Sequence, residues 1–501
     1  MVDLLSNFIN NEAVPACGQP ETLAVTSPHT GETIAQVPLS AAVDVDAAVA
    51  AAEAAFGAWS GMTLKARAAV LLRLYNRLQE HADELAALVE REHGKTRTEA
   101  QGDVAKGLET LEYAIALPHV AAGRVETVSR GVQCRDERVA LGVVAAVVPF
   151  NFPFMVPFWT LPIALGIGNT CVLKPSEKVP LTMTRVCELA ADVLPPGVLN
   201  IVHGDRRAAT ALVEHRSVRA LTFVGTSAVA EQIHARATLL GKRVLALGGA
   251  KNHLVALPDC DVEMTAQDVV ASFTGCAGER CMAASVLLIV GDQPALVDRI
   301  VAKARALRPT GHIACDNPAG DVAPAMGPVI DTAALLRIED AVARAEAAGA
   351  AVLLDGRAAA DFTARRLESG GFWIGPSVLR HQSATDHAMH SEIFGPVLSI
   401  LHCSTPEEAL AVENANEYGN AACVYTASGA AAEYFSQRFQ AAMIGVNIGV
   451  PVPREPFSFG GINRSRFGAG DITGDAAVEF FSYRRKITTK WAVSAEKSWM
   501  S

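Results

Sequence analysis

Residues 141–168 read LGVVAAVVPFNFPFMVPFWTLPIALGIG, an apolar run interrupted only by Asn151 and Thr160. Its length alone would suit a membrane span. Four prolines, Pro149, Pro153, Pro157 and Pro162, argue otherwise. Each removes a backbone donor and forces extended or kinked backbone, which lipid would leave unsatisfied. The stretch therefore reads as a buried strand, an irregular turn and a helix. The same alternation continues downstream. Apolar runs at Val143–Val148, Thr170–Lys174, Val198–Val202, Arg219–Val224 and Arg243–Leu247 are separated by helical patterns at 156–166, 181–193, 206–215 and 227–240. Strands that are apolar throughout and alternate with helices predict a parallel sheet covered on both faces. The fold class is thus α/β, with a doubly wound, nucleotide-binding layout.

On the N-terminal side, residues up to about 40 form a β-rich lead-in. Ala-rich helical patterns follow at 44–59, with Asp44 as candidate N-cap, then at 64–93 and 98–120. After Gly248–Gly249 a second α/β region runs to about residue 450, with strands at Ser285–Val290 and Val397–His402. Gln133–Val139 reads as part of a hairpin arm and Ala476–Lys490 as a tail strand. Bare strand edges invite pairing, so two such arms predict a homo-oligomer, a homodimer or homotetramer. The expected division is a nucleotide-binding domain of residues 1–121 and 142–249, a catalytic domain of 250–450, and an oligomerisation arm of 122–141 and 471–490.

The bulk properties narrow the function classes. A chain of 501 residues that is 50% hydrophobic can bury two or three domain cores. A net charge of -10 gives no reason to expect nucleic acid or an anionic membrane as partner. The basic cluster Arg484-Arg485-Lys486 reads as a solvated face. Ten cysteines without a CxxC pair make neither a disulfide framework nor a zinc site, so no metal is expected and the compartment reads as reducing and cytoplasmic. The start, Met1-Val2-Asp3-Leu4-Leu5-Ser6, carries an acid and no basic n-region, and so does not read as a signal peptide.

Several short segments carry chemistry. Cys281 ends Phe273-Thr274-Gly275-Cys276-Ala277-Gly278-Glu279-Arg280-Cys281. A thiolate is a strong nucleophile toward an aldehyde carbonyl, and Arg280 beside it would lower its pKa. A cysteine taken alone is more often a small buried residue, and Cys276 is read that way. Asn151 is the sole polar residue in Pro149-Phe150-Asn151-Phe152-Pro153-Phe154. Its amide must find a partner, or it can serve a developing oxyanion together with the nucleophile's own N–H. Lys174-Pro175-Ser176-Glu177 ends a strand. Lys and Glu there can hold the hydroxyls of a ribose, although the tetrapeptide alone also suits a capped loop. Phe223-Val224-Gly225-Thr226-Ser227 closes a strand and opens a helix, where free N–H groups and the dipole would favour a pyrophosphate. Glu392-Ile393-Phe394-Gly395-Pro396 and Pro456-Phe457-Ser458-Phe459-Gly460-Gly461 complete the set. The first would otherwise read as a surface Glu before a turn, the second as core aromatics.

Together these motifs, in this order, resemble the aldehyde dehydrogenase family over about residues 20–490. The resemblance implies Cys281 as nucleophile and Asn151 as oxyanion donor. It implies NAD bound by Phe150, Lys174, Glu177, Gly225, Thr226, Glu392 and Phe394, with Glu177 repelling a 2'-phosphate. It also implies a substrate mouth near Phe459. The family likewise lacks a G-x-G-x-x-G fingerprint at the Gly225 turn. Gly249-Ala250-Lys251-Asn252-His253 and Gly278-Glu279-Arg280-Cys281 resemble the coenzyme A-acylating, methylmalonate/malonate-semialdehyde branch. That branch oxidises a small-molecule semialdehyde through a cysteine thioester, passes the acyl group to CoA and loses CO2.

Two positions refine the expectation. Hydrolytic members place a Glu 34 residues before the nucleophile, and here that position is Leu247. Leu cannot accept a proton, so water would lack its general base, whereas an incoming thiolate needs none. The branch's substrate-gripping Arg before the hairpin arm is replaced by Lys106, while Arg280 is kept. Lys keeps the charge but loses the bidentate fork. The alternatives are a hydrolytic enzyme using another base, with Glu279 the nearest acid in sequence, and a non-catalytic binding or structural relative.

Overall fold

The computed structural model describes residues 4–18, 20–310 and 325–491. Met1, Val2 and Asp3, part of the leader argument above, lie outside them. The predicted strands pair in one eight-stranded sheet. Its parallel centre has the spatial order Leu199–Ile201, Thr170–Lys174, Val143–Val147, Val218–Val224, Arg243–Leu247. The first strand in sequence is therefore central, and the chain winds outward from it in both directions. The carboxyl ends of Val143–Val147 and Val218–Val224 flank the switch point, where open α/β sheets bind ligands. All five residues of Val143–Val147 are buried, as two covered faces require.

Helix Met155–Ile167 follows the turn and every residue in it is buried, so it has no polar face to present. It runs through Pro162 and stops at Gly168, whose φ of 111° ends it in the left-handed region. No helix among the described residues is long and apolar enough to cross a membrane.

A second, seven-stranded sheet spans Asn252–Ala256 to Met443–Val446 and is parallel except for the edge strand Ala351–Leu354. A third sheet is antiparallel, with Val132–Ala140 between Arg124–Ser129 and Ser482–Lys490.

Four expectations need correction. Asp44 is not the N-cap of helix Ala42–Ser60; Ala41 is, and the Asp44 carboxylate reaches back from the first turn to the N–H groups of Ala41 and Cys17, both at 2.8 Å. The pattern at 64–93 is two helices, Leu64–Glu80 and Ala82–His93, broken at His81. The tail is a strand only from Ser482; Gly474–Phe480 is helical because Ala477, Val478 and Phe480 pack inward. Arg484 is not simply solvated, since it pairs with Asp136 and Glu479 at 3.2 and 2.8 Å.

Candidate active site

A cleft of 540 Å³ opens at the switch point and runs from Lys174 and Glu177, past Gly225 and Thr226, to Asn151, Cys281, Glu392 and Phe394. Phe150 lines it, as does Arg337, which the sequence did not single out. A second cavity of 330 Å³ reaches Cys281 from the other side and is lined by Lys106, Arg280, Phe459, Phe152, Trp159 and Arg454, among others. Cys281 thus sits where two openings meet, as a reaction between two bound molecules requires.

The turn carrying Cys281 explains its glycines. Cys276 and Ala277 adopt φ of 50° and 51°, values that side chains rarely take. A Cβ on Gly275 would come 2.3 Å from the Arg280 guanidinium, and one on Gly278 would come 2.2 Å from the Gly395 carbonyl. The Gly-x-x-Gly spacing therefore admits Arg280 on one side and the Glu392–Gly395 turn on the other. That second turn is itself strained, with Phe394 at φ 54°. The Cys281 carbonyl accepts from Asn252 Nδ2 and Asn420 Nδ2, both at 2.9 Å. These two amides fix the Cys281 peptide; the sequence offered Asn252 only as part of the motif at 249–253 and did not single out Asn420.

Asn151 is buried, and its Nδ2 donates to the Glu279 carbonyl at 3.0 Å. An amide has two N–H donors, so one remains for the cleft. Its turn is braced from behind. Lys95 and Asp103 form a fully buried ion pair at 2.7 Å, the Lys95 ammonium lies 3.6 Å from the Phe152 ring centre, and Asp103 Oδ1 accepts from Met155 N at 2.7 Å. His93 stacks on Phe150, and Phe150 meets Phe394 edge-on, at 6.0 and 5.9 Å between ring centres.

The charge state of Cys281 differs from the expectation. Burial pushes the thiol up to about 12, and the Glu392 carboxylate adds to the rise. Arg280 pulls it down but does not win, because its own charge is engaged elsewhere. Its Nη2 lies 3.3 Å from Glu99 Oε1, and its Nε donates to Cys276 Sγ at 3.2 Å. Cys276 is therefore more than a space-filler: it holds Arg280, and its N–H donates to Glu99 at 2.6 Å.

At the cleft's far end Lys174 Nζ holds Glu177 Oε2 at 2.8 Å. Burial would raise the Glu177 carboxyl, but the adjacent Lys174 ammonium keeps it below its ordinary value. At the Gly225 turn the expected free donors are fewer. Gly225 N–H is taken by the Leu247 carbonyl at 3.1 Å, and Ser227 Oγ bridges Arg464 O and Gly249 N. Thr226 makes no side-chain cap to helix Ser227–Leu239, so that helix keeps first-turn donors toward the cleft. Glu392 Oε1 accepts from Ala250 N at 2.9 Å. The residues fit a dinucleotide: a cation–carboxylate pair for one ribose, an uncapped helix start for the phosphates, and the Glu392 carboxylate on the same cleft as Cys281.

Leu247 is buried at its strand's end, in the apolar cluster that Cys281 borders. Glu279 does not take over as base. It is fully buried, both its oxygens face Ile330 N at 3.2 and 3.4 Å, and burial pushes it up to about 8. Lys106 Nζ contacts Glu109 at 2.6 Å and Glu455 at 3.5 Å, and Phe459 stacks on Trp159 at 4.2 Å. Among the described residues no group of three His, Cys, Asp or Glu could hold a metal.

Comparison with known proteins gives consistent findings. The model of the aldehyde dehydrogenase family matches residues 15–487. Malonate-semialdehyde dehydrogenase 1 of Geobacillus thermodenitrificans is 39% identical over 98% of this chain and 99% of its own. A methylmalonate-semialdehyde dehydrogenase structure from Oceanimonas doudoroffii superposes with a TM-score of 0.93 at 36% identity, covering 99% of both chains. A Sinorhizobium meliloti protein assigned to the same activity and solved with NAD gives 0.93 at 34% identity, covering 99% of this chain and 100% of its own.

Proposed function

The chain belongs to the aldehyde dehydrogenase family, and from that premise we propose that it oxidises malonate or methylmalonate semialdehyde with NAD and transfers the acyl group to coenzyme A, with loss of CO2. The carrying observation is Leu247, an apolar residue where a water-activating carboxylate would stand. The names of similar relatives support the substrate class.

In this reading Cys281 Sγ adds to the aldehyde carbon. The free N–H of Asn151 and the Cys281 N–H face the resulting oxyanion. Lys174, Glu177, Thr226, Phe150, Glu392 and Phe394 hold NAD along the cleft, with Gly225 giving its turn the needed close approach. Bound there, NAD supplies the hydride acceptor. The acyl group is then a thioester on Cys281. Water has no base beside it, because Leu247 cannot take a proton and Glu279 is turned to Ile330. The C–C bond to the substrate carboxylate breaks, releasing CO2, and a proton takes its place on the carbon beside the thioester; a CoA thiolate then attacks the thioester carbon without that help, and Cys281 leaves as the thiolate. In the same reading residues 1–121 with 142–249 bind the cofactor, 250–450 carry the nucleophile, and 122–141 with 471–490 join subunits of a homodimer or homotetramer.

The test is NADH release from malonate semialdehyde with and without CoA, with products identified by mass spectrometry. Acetyl-CoA formed only when CoA is present is the expected result. Steady turnover to a free acid without CoA would overturn acyl transfer, and NADH formation surviving Cys281→Ala would overturn the nucleophile.

A further inference from the structure

The substrate mouth carries its own counter-ions. Lys106, Arg280 and Arg454 line it, and the remaining wall is largely apolar, with Phe152, Met155, Trp159, Met282 and Val450. Every one of the three cations has a carboxylate of the protein beside it. Glu99 Oε1 lies 3.3 Å from Arg280 Nη2, Glu109 lies 2.6 Å from Lys106 and 3.9 Å from Arg454, and Glu455 lies 3.5 Å from Lys106. Glu455 differs from the rim residue Glu109. Its side chain is only 8% exposed, and its second oxygen accepts from Thr110 Oγ1 at 2.9 Å, so it is anchored. Glu109 is 36% exposed. None of these carboxylates lines the cavity, whereas the three cations do. The mouth therefore presents N–H donors with little net positive charge, inside a 330 Å³ space larger than a three-carbon aldehyde fills.

We propose that Glu455 is a specificity-determining residue: by adding to the neutralisation of Lys106 from behind, it weakens the mouth's grip on a carboxylate-bearing aldehyde, without abolishing it, relative to an uncharged aldehyde with an apolar body. The inference rests on the reading of this cavity as the aldehyde's approach to Cys281. A substrate carboxylate must share Lys106 with Glu455 and Glu109, and it pays for its lost hydration without a full opposite charge in return. A branched alkyl group loses nothing and gains the apolar wall. Replacing Glu455 by Gln keeps the shape and the Thr110 partner and removes one of the two carboxylates at Lys106, leaving Glu109 as its only counter-ion there.

The experiment measures KM and kcat for malonate semialdehyde and for 3-methylbutanal, which carries an isopropyl group where the first has its carboxylate. Full-length wild type and Glu455→Gln are compared, each with and without CoA. Glu455→Gln should lower KM for malonate semialdehyde about tenfold, about 1.4 kcal/mol. KM for 3-methylbutanal and both kcat values should stay within about twofold of wild type, well inside that tenfold step. An unchanged or raised KM for malonate semialdehyde, or a parallel shift for both aldehydes, overturns the proposal. Should that variant not fold, Glu109→Gln on the rim must shift the ratio in the same direction, and a ratio left unmoved overturns it equally. The CoA arms separate the two readings. Turnover independent of CoA with the KM split intact removes acyl transfer alone; CoA dependence without the split removes only the role of Glu455.

Discussion

Alkylating Cys281 with iodoacetamide across a pH series tests the electrostatics of the site directly. Burial and the Glu392 carboxylate push this thiol up to about 12 from an ordinary value of 9.0. Each unit costs tenfold in thiolate, so the reactive fraction at pH 7.5 falls about a thousandfold below that of an ordinary thiol. The thiolate that does form is more basic and more nucleophilic, by roughly 15- to 30-fold for a Brønsted slope of 0.4–0.5. The net expectation is alkylation about 30- to 60-fold slower than a free thiol at the same pH, before any loss of access. Restricted access lowers every rate alike and leaves the pH slope untouched, so the slope decides. Mass spectrometry of the Cys281 peptide from the protein without added NAD should show log rate rising with unit slope through pH 10. Glu392→Gln removes a negative charge that raises the thiol's pKa, and should speed alkylation at fixed pH. A plateau below pH 9 would refute the reasoning, because it would mean that Arg280 outweighs burial despite its contact with Glu99.

Leu247→Glu places a carboxylate at the strand end beside the cleft, and should produce NADH and a free acid without CoA; a CoA-free rate no higher than wild type would break the base argument. Lys95→Met strands the buried Asp103 carboxylate, and should cost about 3–5 kcal/mol in denaturant unfolding, whereas a loss below about 1 kcal/mol, typical of exposed pairs, would mean that the pair is not sealed from water. Glu279 holds its proton up to about 8 in the folded chain and loses it near 4.5 when unfolded. The unfolded state then binds fewer protons between those values, so its contribution to stability is full below pH 4.5 and is lost as pH rises to 8. Glu279→Gln, which keeps an acceptor for Ile330 N–H, should flatten that part of the stability profile, and an unchanged profile would place the titration elsewhere.

Much of the fold was legible because the central strands are apolar throughout and the helices between them, Met155–Ile167 excepted, are not. Thr170–Lys174 and Arg243–Leu247 match their predicted bounds residue for residue. The misreadings fall where a long-range contact overrides a local pattern. Alternation at 476–481 looked extended, but packing of Ala477 and Val478 into the apolar core that also buries Leu245 made it a helix. Asp44 looked like a cap, yet its carboxylate reaches Cys17, which local pattern could not foretell.

The candidate site divides along the same line. Cys281, Asn151, Lys174, Glu177, Glu392 and Phe394 stand out in the sequence because each sits in a short segment whose glycines or prolines constrain the backbone around it, and the fold brings all six to one cleft. Asn420, Lys95 and Asp103 act on those residues from behind, and nothing local distinguishes them from ordinary polar residues; Asn252 does the same from within the motif at 249–253, whose sequence does not show which peptide it holds. Charge was the least legible property. Arg280 adjoins Cys281 in sequence, which suggested an activated thiolate; the structure gives Arg280 to Glu99 and Cys276, while burial and the Glu392 carboxylate raise the thiol. Lys106 likewise looked like a free cation until Glu109 and Glu455 came into place. An ion's effect depends on every opposite charge within a few ångströms, and here those charges come from segments as far apart as Lys106 and Glu455. A sequence motif can thus point to a candidate nucleophile and to the cations around it, while their protonation and their net field are properties of the assembled fold.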